Sequence, residues 1–329
     1  MKKVFPVILL AAVTLFPLFA GGRTEGSGSG TDGPAPGTEA APGLEPLTVG
    51  MMPAVNSLPL IIAEHLEYFR EEGVEVELTL FKSQFYRETA LQTGQIDGTI
   101  SDLVNAVNER QAGFRGMVTS ATEGLFALVA APDAQVRSVE EWKSYPGTVR
   151  TGLLENSIVF YVAERMLRAR GADPGKIELI STLHIPSRLE MVLAGELEAA
   201  CLPEPVTRVA IDQGAVQIAD TTVLEETPGV LLFSREALER KGESVRAFYR
   251  AYDRAAEELN KNGEEYLDVI IEKGDFPPQV RDTMVIPRYG RAHVTSRELY
   301  CDVAAWMVRK GLITAAPEYH ELITGEYLP

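Results

Sequence analysis

The sequence predicts an α/β protein of two lobes, each built on a mainly parallel sheet flanked by helices. Three observations carry that prediction. Short β-branched runs alternate with helical periodicity from Leu47 onward, the alternation starts afresh after Pro132, and the chain beyond Phe233 is helical in pattern. With 329 residues, 45% of them hydrophobic and 24% charged, the chain can bury a sizeable core, enough for two domains at roughly 150 residues each.

The elements follow in order. Leu47–Met51 reads as a strand, and Asn56 or Ser57 then caps a helix with Pro59 in its first turn and Leu58, Ile62, Leu66 and Phe69 on one face. Val74, Val76, Leu78 and Leu80 alternate with polar residues, the period-two pattern of a strand with one wet face near a sheet edge. Ser83 caps the next helix and Gly94 ends it. Ile96–Ile100 is a strand, Asp102 caps a helix to about Gln111, and Gly116–Thr119 and Gly124–Ala130 are two more strands. After Pro132, Ser138 and Glu141 make a capping box, Thr148–Thr151 is a strand, and Asn156 or Ser157 caps a helix that stops at Gly171. Ile177–Ile180 is a strand, Ser187 and Glu190 form a second capping box, and Leu197–Leu202, Val206–Gln213, Val216–Ile218 and Val230–Phe233 complete the β-α pattern. Ser244–Asn260 and Ser296–Lys310 are the clearest later helices.

Economy of connection assigns 44–130 plus 228–329 to lobe one and 131–227 to lobe two, with a two-strand hinge near Ala130–Pro132 and Thr222–Gly229. The start of the chain is different in kind. Lys2 and Lys3 precede an apolar run from Val4 to Ala20 and then small residues, the three-part pattern of a signal peptide over 1–20. Ala20, Gly21 and Gly22 stand where a lipoprotein would need Cys. Residues 21–43, rich in Gly and Pro, read as a flexible linker. An exported protein in the periplasm or another extracytoplasmic compartment is expected.

Charge and cysteine content exclude several classes. Forty-seven acidic against 31 basic side chains give a net charge of −16, which opposes nucleic acid as a partner. Two Cys, four His, and no CxxC or HExxH support neither a metal centre nor a disulfide scaffold, so no cofactor or metal is expected. Whether Cys201 and Cys301 pair stays open.

Three blocks in order resemble the solute-binding proteins of ABC importers for sulfonates, taurine and nitrate, and their relatives that bind the pyrimidine precursor of thiamine. They are Val49-Gly50 through Ser57-Leu58-Pro59-Leu60-Ile61-Ile62-Ala63-Glu64-His65 with Tyr68-Phe69; Ala90-Leu91-Gln92-Thr93-Gly94-Gln95-Ile96-Asp97-Gly98; and Met191-Val192-Leu193-Ala194-Gly195-Glu196-Leu197-Glu198-Ala199-Ala200 with Pro203-Glu204-Pro205. The resemblance implies a type II periplasmic-binding, or Venus-flytrap, fold that closes on a small molecule and docks on an inner-membrane permease; a monomer that is not an enzyme is expected. Leu202 stands where the family carries Trp, so no particular solute is carried over.

In open α/β sheets ligands gather at the carboxyl ends of strands and at helix N-termini, so the cleft between lobes is the expected site. The candidates there are Asn56, Ser57, Gln84, Ser101, Asp102, Thr122, Glu123, Asn156, Ser157, Phe160, His184 and Glu204. The Asn, Ser and Asp residues either cap helices or touch a ligand. Glu123 and Glu204 would suit an amine-bearing solute, while Phe160 and His184, with Tyr161 and Phe85, offer flat surface to a heterocycle. Lys82, Arg87, Arg150 and Arg188 are the nearby cations, and a sulfonate would call for a bidentate Arg. A neutral or amine-bearing, pyrimidine-like heterocycle is therefore expected, with a sulfonate-, taurine- or nitrate-type anion as the alternative. An enzyme or a sensor on the same fold are further alternatives. Against an enzyme, the Met51–Ser57 loop has no Cys and Cys201 no evident His partner.

Overall fold

Leu47, Val49 and Met51 are buried in the first strand, β1 (Leu47–Met51), and seed the core of the first sheet. The computed structural model describes residues 43–329; the expected leader and the linker through residue 42 lie outside the described residues. The chain continues through α1 (Leu58–His65), α2 (Tyr68–Glu71), β2 (Val76–Leu80), α3 (Gln84–Gln92), β3 (Gly98–Asp102), α4 (Leu103–Gln111) and β4 (Gly116–Ala121). It then forms β5 (Phe126–Ala130), α5 (Val139–Ser144), β6 (Val149–Leu153), α6 (Ile158–Ala169), β7 (Ile177–Ser181), α7 (Ile185–Leu193), β8 (Ala199–Pro203), α8 (Val206–Asp212) and β9 (Val216–Asp220). Last come β10 (Gly229–Ser234), α9 (Arg235–Asn262), α10 (Leu267–Gly274), α11 (Arg297–Arg309) and α12 (Tyr319–Leu322).

Two five-stranded sheets result, ordered β2-β1-β3-β10-β4 and β7-β6-β8-β5-β9. In the first, β10 is antiparallel to both β3 and β4, so β1 to β4 all run one way; in the second, β5 is antiparallel to β8 and β9. The mainly parallel sheets, the helices on their faces and the two-lobed type II architecture are as the sequence predicts. Half-buried β2 and β7 lie at the edges, as the alternation of β2 predicts.

Two expectations are corrected. The first passage between sheets lies between Ala121 and Phe126, not near Ala130–Pro132, because β5 pairs with β8 and β9 along its whole length. The helix expected to be capped by Ser187 begins at Ile185 with His184 as N-cap, Pro186 taking a first-turn position that needs no N–H partner.

The halves repeat each other. Arg87 and Arg188, each the fourth residue of the helix after an edge strand, are both buried. A Cβ at Gly50 would stand 2.6 Å from Ile96 Cδ1, and one at Gly152 2.5 Å from Leu197 Cδ1, so in both sheets the apolar residue ahead of the third strand packs on a bare backbone. One core joins α1, α2 and α9 to the first sheet. A second runs through α4, α6 and α11, drawing on both sheets. There α11 meets α6 directly. Glu164, 5% exposed, accepts from Trp306 Nε1 at 2.9 Å and Lys310 Nζ at 2.5 Å, and Asp302 accepts from Tyr161 at 2.6 Å.

Candidate functional site

The carboxyl ends of β1, β2, β3 and β4 share one end of their sheet, and the chain leaves β4 there for the second sheet. By the same pairing, β6 to β9 end where β5 begins and where the chain returns to β10. The two sets of carboxyl ends therefore face each other across the connections 122–125 and 221–228. These connections bind each other: Gly124 N donates to Thr227 Oγ1 at 3.4 Å and Phe126 N to Thr221 Oγ1 at 3.1 Å. They bound one side of the space between these strand ends, and β2 and β7 are the strands farthest from them in each sheet.

Most of the predicted residues lie at these ends. Asn56 sits in the 3-10 turn before α1, and the buried Ser57 hydroxyl donates to Met52 O at 2.8 Å, closing the turn. Asn156 and Ser157 stand at the matching place before α6; Asn156 holds a left-handed φ of 62° and Ser157 Oγ donates to Leu154 O at 2.5 Å. In each case the hydroxyl holds the loop while the first backbone N–H groups of the helix stay free of side-chain caps. Asp102 caps α4 by accepting from Asn105 N at 2.9 Å, and Ser101 accepts from Asn105 Nδ2 at 3.0 Å. Burial raises the Asp102 carboxyl above its ordinary range, opposed by the cap bond and by Arg87.

Thr122 N donates to Gly229 O at 2.9 Å, and the buried Thr122 hydroxyl has no protein partner. Glu123 accepts from Gly290 N at 2.8 Å, which ties the first connection to the loop before α11; burial raises its carboxyl. Glu204, 6% exposed, follows β8 at the start of the turn into α8. Its Oε2 has no partner, and burial pushes its carboxyl up to about 7 against the opposing pull of Arg208. Gln84 is the first residue of α3 and His184 the N-cap of α7, each just beyond the carboxyl end of an edge strand.

Phe160 departs from expectation. Its ring lies 5.7 Å from Trp306 and under Lys310 at 4.3 Å, so α11 occupies the face that was expected to meet a heterocycle. Three of the four expected cations have partners: Lys82 pairs with Asp275 at 2.8 Å, Arg87 with Glu88 at 3.5 Å, and buried Arg188 donates to Cys201 O and Thr182 O, while Arg150 is exposed. Cys201 is buried, its thiol pushed up to about 12, and Cys301 is exposed; both are free thiols.

Four polar, ionisable residues escaped the sequence reading. Arg288 and His293 come from the loop before α11 and line a cavity of about 360 Å³ with Thr122, Glu123, Glu225 and Glu226 from the two connections. The loop is anchored by Tyr289, whose hydroxyl donates to Val55 O at 2.6 Å, and by Ala121 N, which donates to His293 O at 2.7 Å. Among the described residues Arg288 makes no ion pair. No periodic pattern marks 277–296, so only a Pro287/Gly290 turn flanked by Arg288 and Arg291 could have drawn attention there.

No curated protein matches the sequence significantly. Solved structures match its shape. The ligand-binding component of an ABC-type import system from Staphylococcus aureus, solved with zinc bound, superposes with a TM-score of 0.71 at 15% identity over 86% of this chain and 97% of its own. The periplasmic aliphatic sulphonate binding protein of Escherichia coli gives 0.69 at 16% identity over 85% and 92%. The alkanesulfonate-binding protein of Xanthomonas axonopodis pv. citri bound to MOPS gives 0.67 at 17% over 88% and 99%. At these identities the likeness is one of fold. A family model spans residues 40–267, from just before β1 into α10, and so takes in both sheets and both connections: the chain belongs to the NMT1-like family.

Proposed function

We propose that this chain is an extracytoplasmic solute-binding protein that holds a small molecule between its lobes and delivers it to an ABC permease. The observation that carries the reading is the facing of the two sets of strand ends. Two sheets of the same order turn the carboxyl ends of their parallel strands toward each other across a two-strand hinge at 122–125 and 221–228, an arrangement that can close on a ligand from both sides. Membership of the NMT1-like family, and neighbours of this fold described as the ligand-binding component of an ABC-type import system and as a periplasmic sulphonate binding protein, support it. The apolar leader with its small-residue end supports export. In this reading the protein is a carrier, and the buried Cys201, its thiol pushed up to about 12, offers no nucleophile.

For the solute, the buried and unpartnered Oε2 of Glu204 favours a hydrogen-bond donor, such as an amine-bearing or pyrimidine-like heterocycle. The second reading, an anion of the sulfonate or nitrate type, has its own observation: Arg288, without an ion pair, lines the cavity at the hinge. Native mass spectrometry of the leaderless protein, followed by denaturation, tests both. A stoichiometric amine or heterocycle whose retention falls at least tenfold in Glu204→Gln supports the first reading. An anion lost on Arg288→Gln supports the second, and consumption of a bound molecule over repeated turnovers would overturn the carrier role.

A further inference from the structure

We propose that Phe85 and Tyr86 on one lobe and Leu183 on the other form an apolar rim at the mouth of the cleft that holds the uncharged end of the solute. The inference rests on the solute-binding reading above. Its starting point is where the exposed apolar surface falls. Phe85, Tyr86 and Leu183 are 68%, 67% and 65% exposed, the largest values among the large hydrophobic side chains of the described residues. Single exposed apolar residues are ordinary, but these three are not scattered. All lie where an edge strand passes into its helix, β2 into α3 and β7 into α7, corresponding corners of the repeated halves.

Those corners are the two places farthest from the hinge connections, and both lie at the carboxyl ends of strands, continuous with the cleft. The nearest lysine and arginines of these corners are paired or buried. Lys82 is paired with Asp275 at 2.8 Å, while Arg87 and Arg188, each in the first turn of its helix, turn inward and are 5% and 1% exposed. The Phe85 and Tyr86 rings, 5.7 Å apart and edge to face, make an apolar corner on one lobe, and Leu183 marks the corresponding corner of the other. A rim of exposed aryl and aliphatic groups fits an alkyl or aryl tail. The solute it implies is amphipathic, its polar group deep among the strand ends and its tail at the mouth.

Calorimetric titration with matched short and long probes tests this: ethylamine against octylamine, ethanesulfonate against octanesulfonate, and propanoate against nonanoate, each below its micelle concentration. One head group is expected to bind, its octyl or nonyl member at least tenfold tighter, the ratio reached when about two methylenes leave water. In the double variant Phe85→Ser/Leu183→Ser, folded by far-UV circular dichroism, that ratio is expected to fall to about twofold or less. Equal binding of short and long members by the unaltered protein overturns the inference and leaves the carrier reading standing, as does a ratio that the variant does not change. Equal weakening of both members would mean that the lips close on each other and not on a tail, which also overturns it. No binding by any pair counts against the solute-binding reading itself and takes the rim with it.

Discussion

Glu204 is where a single side chain sets two measurable properties. Burial pushes its carboxyl up from the ordinary 4.5 to about 7, so the folded state prefers the protonated form. The stability this confers is complete below about pH 4.5 and is lost as pH rises through about 7. Glu204→Gln should therefore lose about 2–3 kcal/mol less than the unaltered protein between pH 5 and pH 8, measured by urea unfolding at the two values. Glu109, buried in α4 and also raised to about 7, keeps its own share of the pH dependence in that variant, so the slope is reduced and not abolished. Much at this scale was legible. Asn56, Ser57, Ser101, Asp102, Asn156 and Ser157 were readable as strand-end residues because capping residues and left-handed glycines such as Gly94 and Gly171 leave marks in sequence. Arg288 and His293 were not, because what brings them to the hinge is a pair of contacts, Tyr289 to Val55 and Ala121 to His293, that join segments far apart in the chain. For Phe160, periodicity identified the helix, but which face of it was free depended on Trp306 and Lys310, well over a hundred residues later.

Between elements, the contact of α11 with α6 is the most exposed to test. Glu164→Ala would leave the Trp306 N–H and the Lys310 ammonium facing a buried gap, at a cost of about 2–4 kcal/mol and a lower Tm by calorimetry. Gly98→Ala probes the packing of β3 against its antiparallel neighbour: a Cβ there would meet the fully buried Phe233 ring of β10 at 2.5 Å, and a loss of about 1–3 kcal/mol is expected from the same melts. The existence and type of the elements could be read from their periods, and the edge position of β2 from its wet face. The insertion of β5 and β10 as antiparallel strands inside otherwise parallel sheets could not, since a short buried apolar run such as Phe126–Ala130 has no orientation in its composition. That is also why the first passage between sheets was expected some residues too late.

For the whole molecule, the hinge and the shared core pull in different directions. Solute should reduce the radius of gyration in small-angle scattering, and an unchanged radius at saturation would count against closure of the lobes. Because α4, α6 and α11 pack into one cluster that draws on both sheets, heating should nonetheless give one cooperative transition, and two resolved calorimetric peaks would contradict that coupling. The exchange of β5 and β10 between halves carries a last consequence, which concerns time. A chain that appears N-terminus first completes its second sheet, β5 to β9, once Asp220 has emerged, while the first sheet waits for Gly229–Ser234. The half that begins the sequence is thus the later one to be finished. Until then its strands β3 and β4 have an unfilled place between them, so a fragment over 122–228 should show cooperative unfolding on its own and one over 44–121 should not.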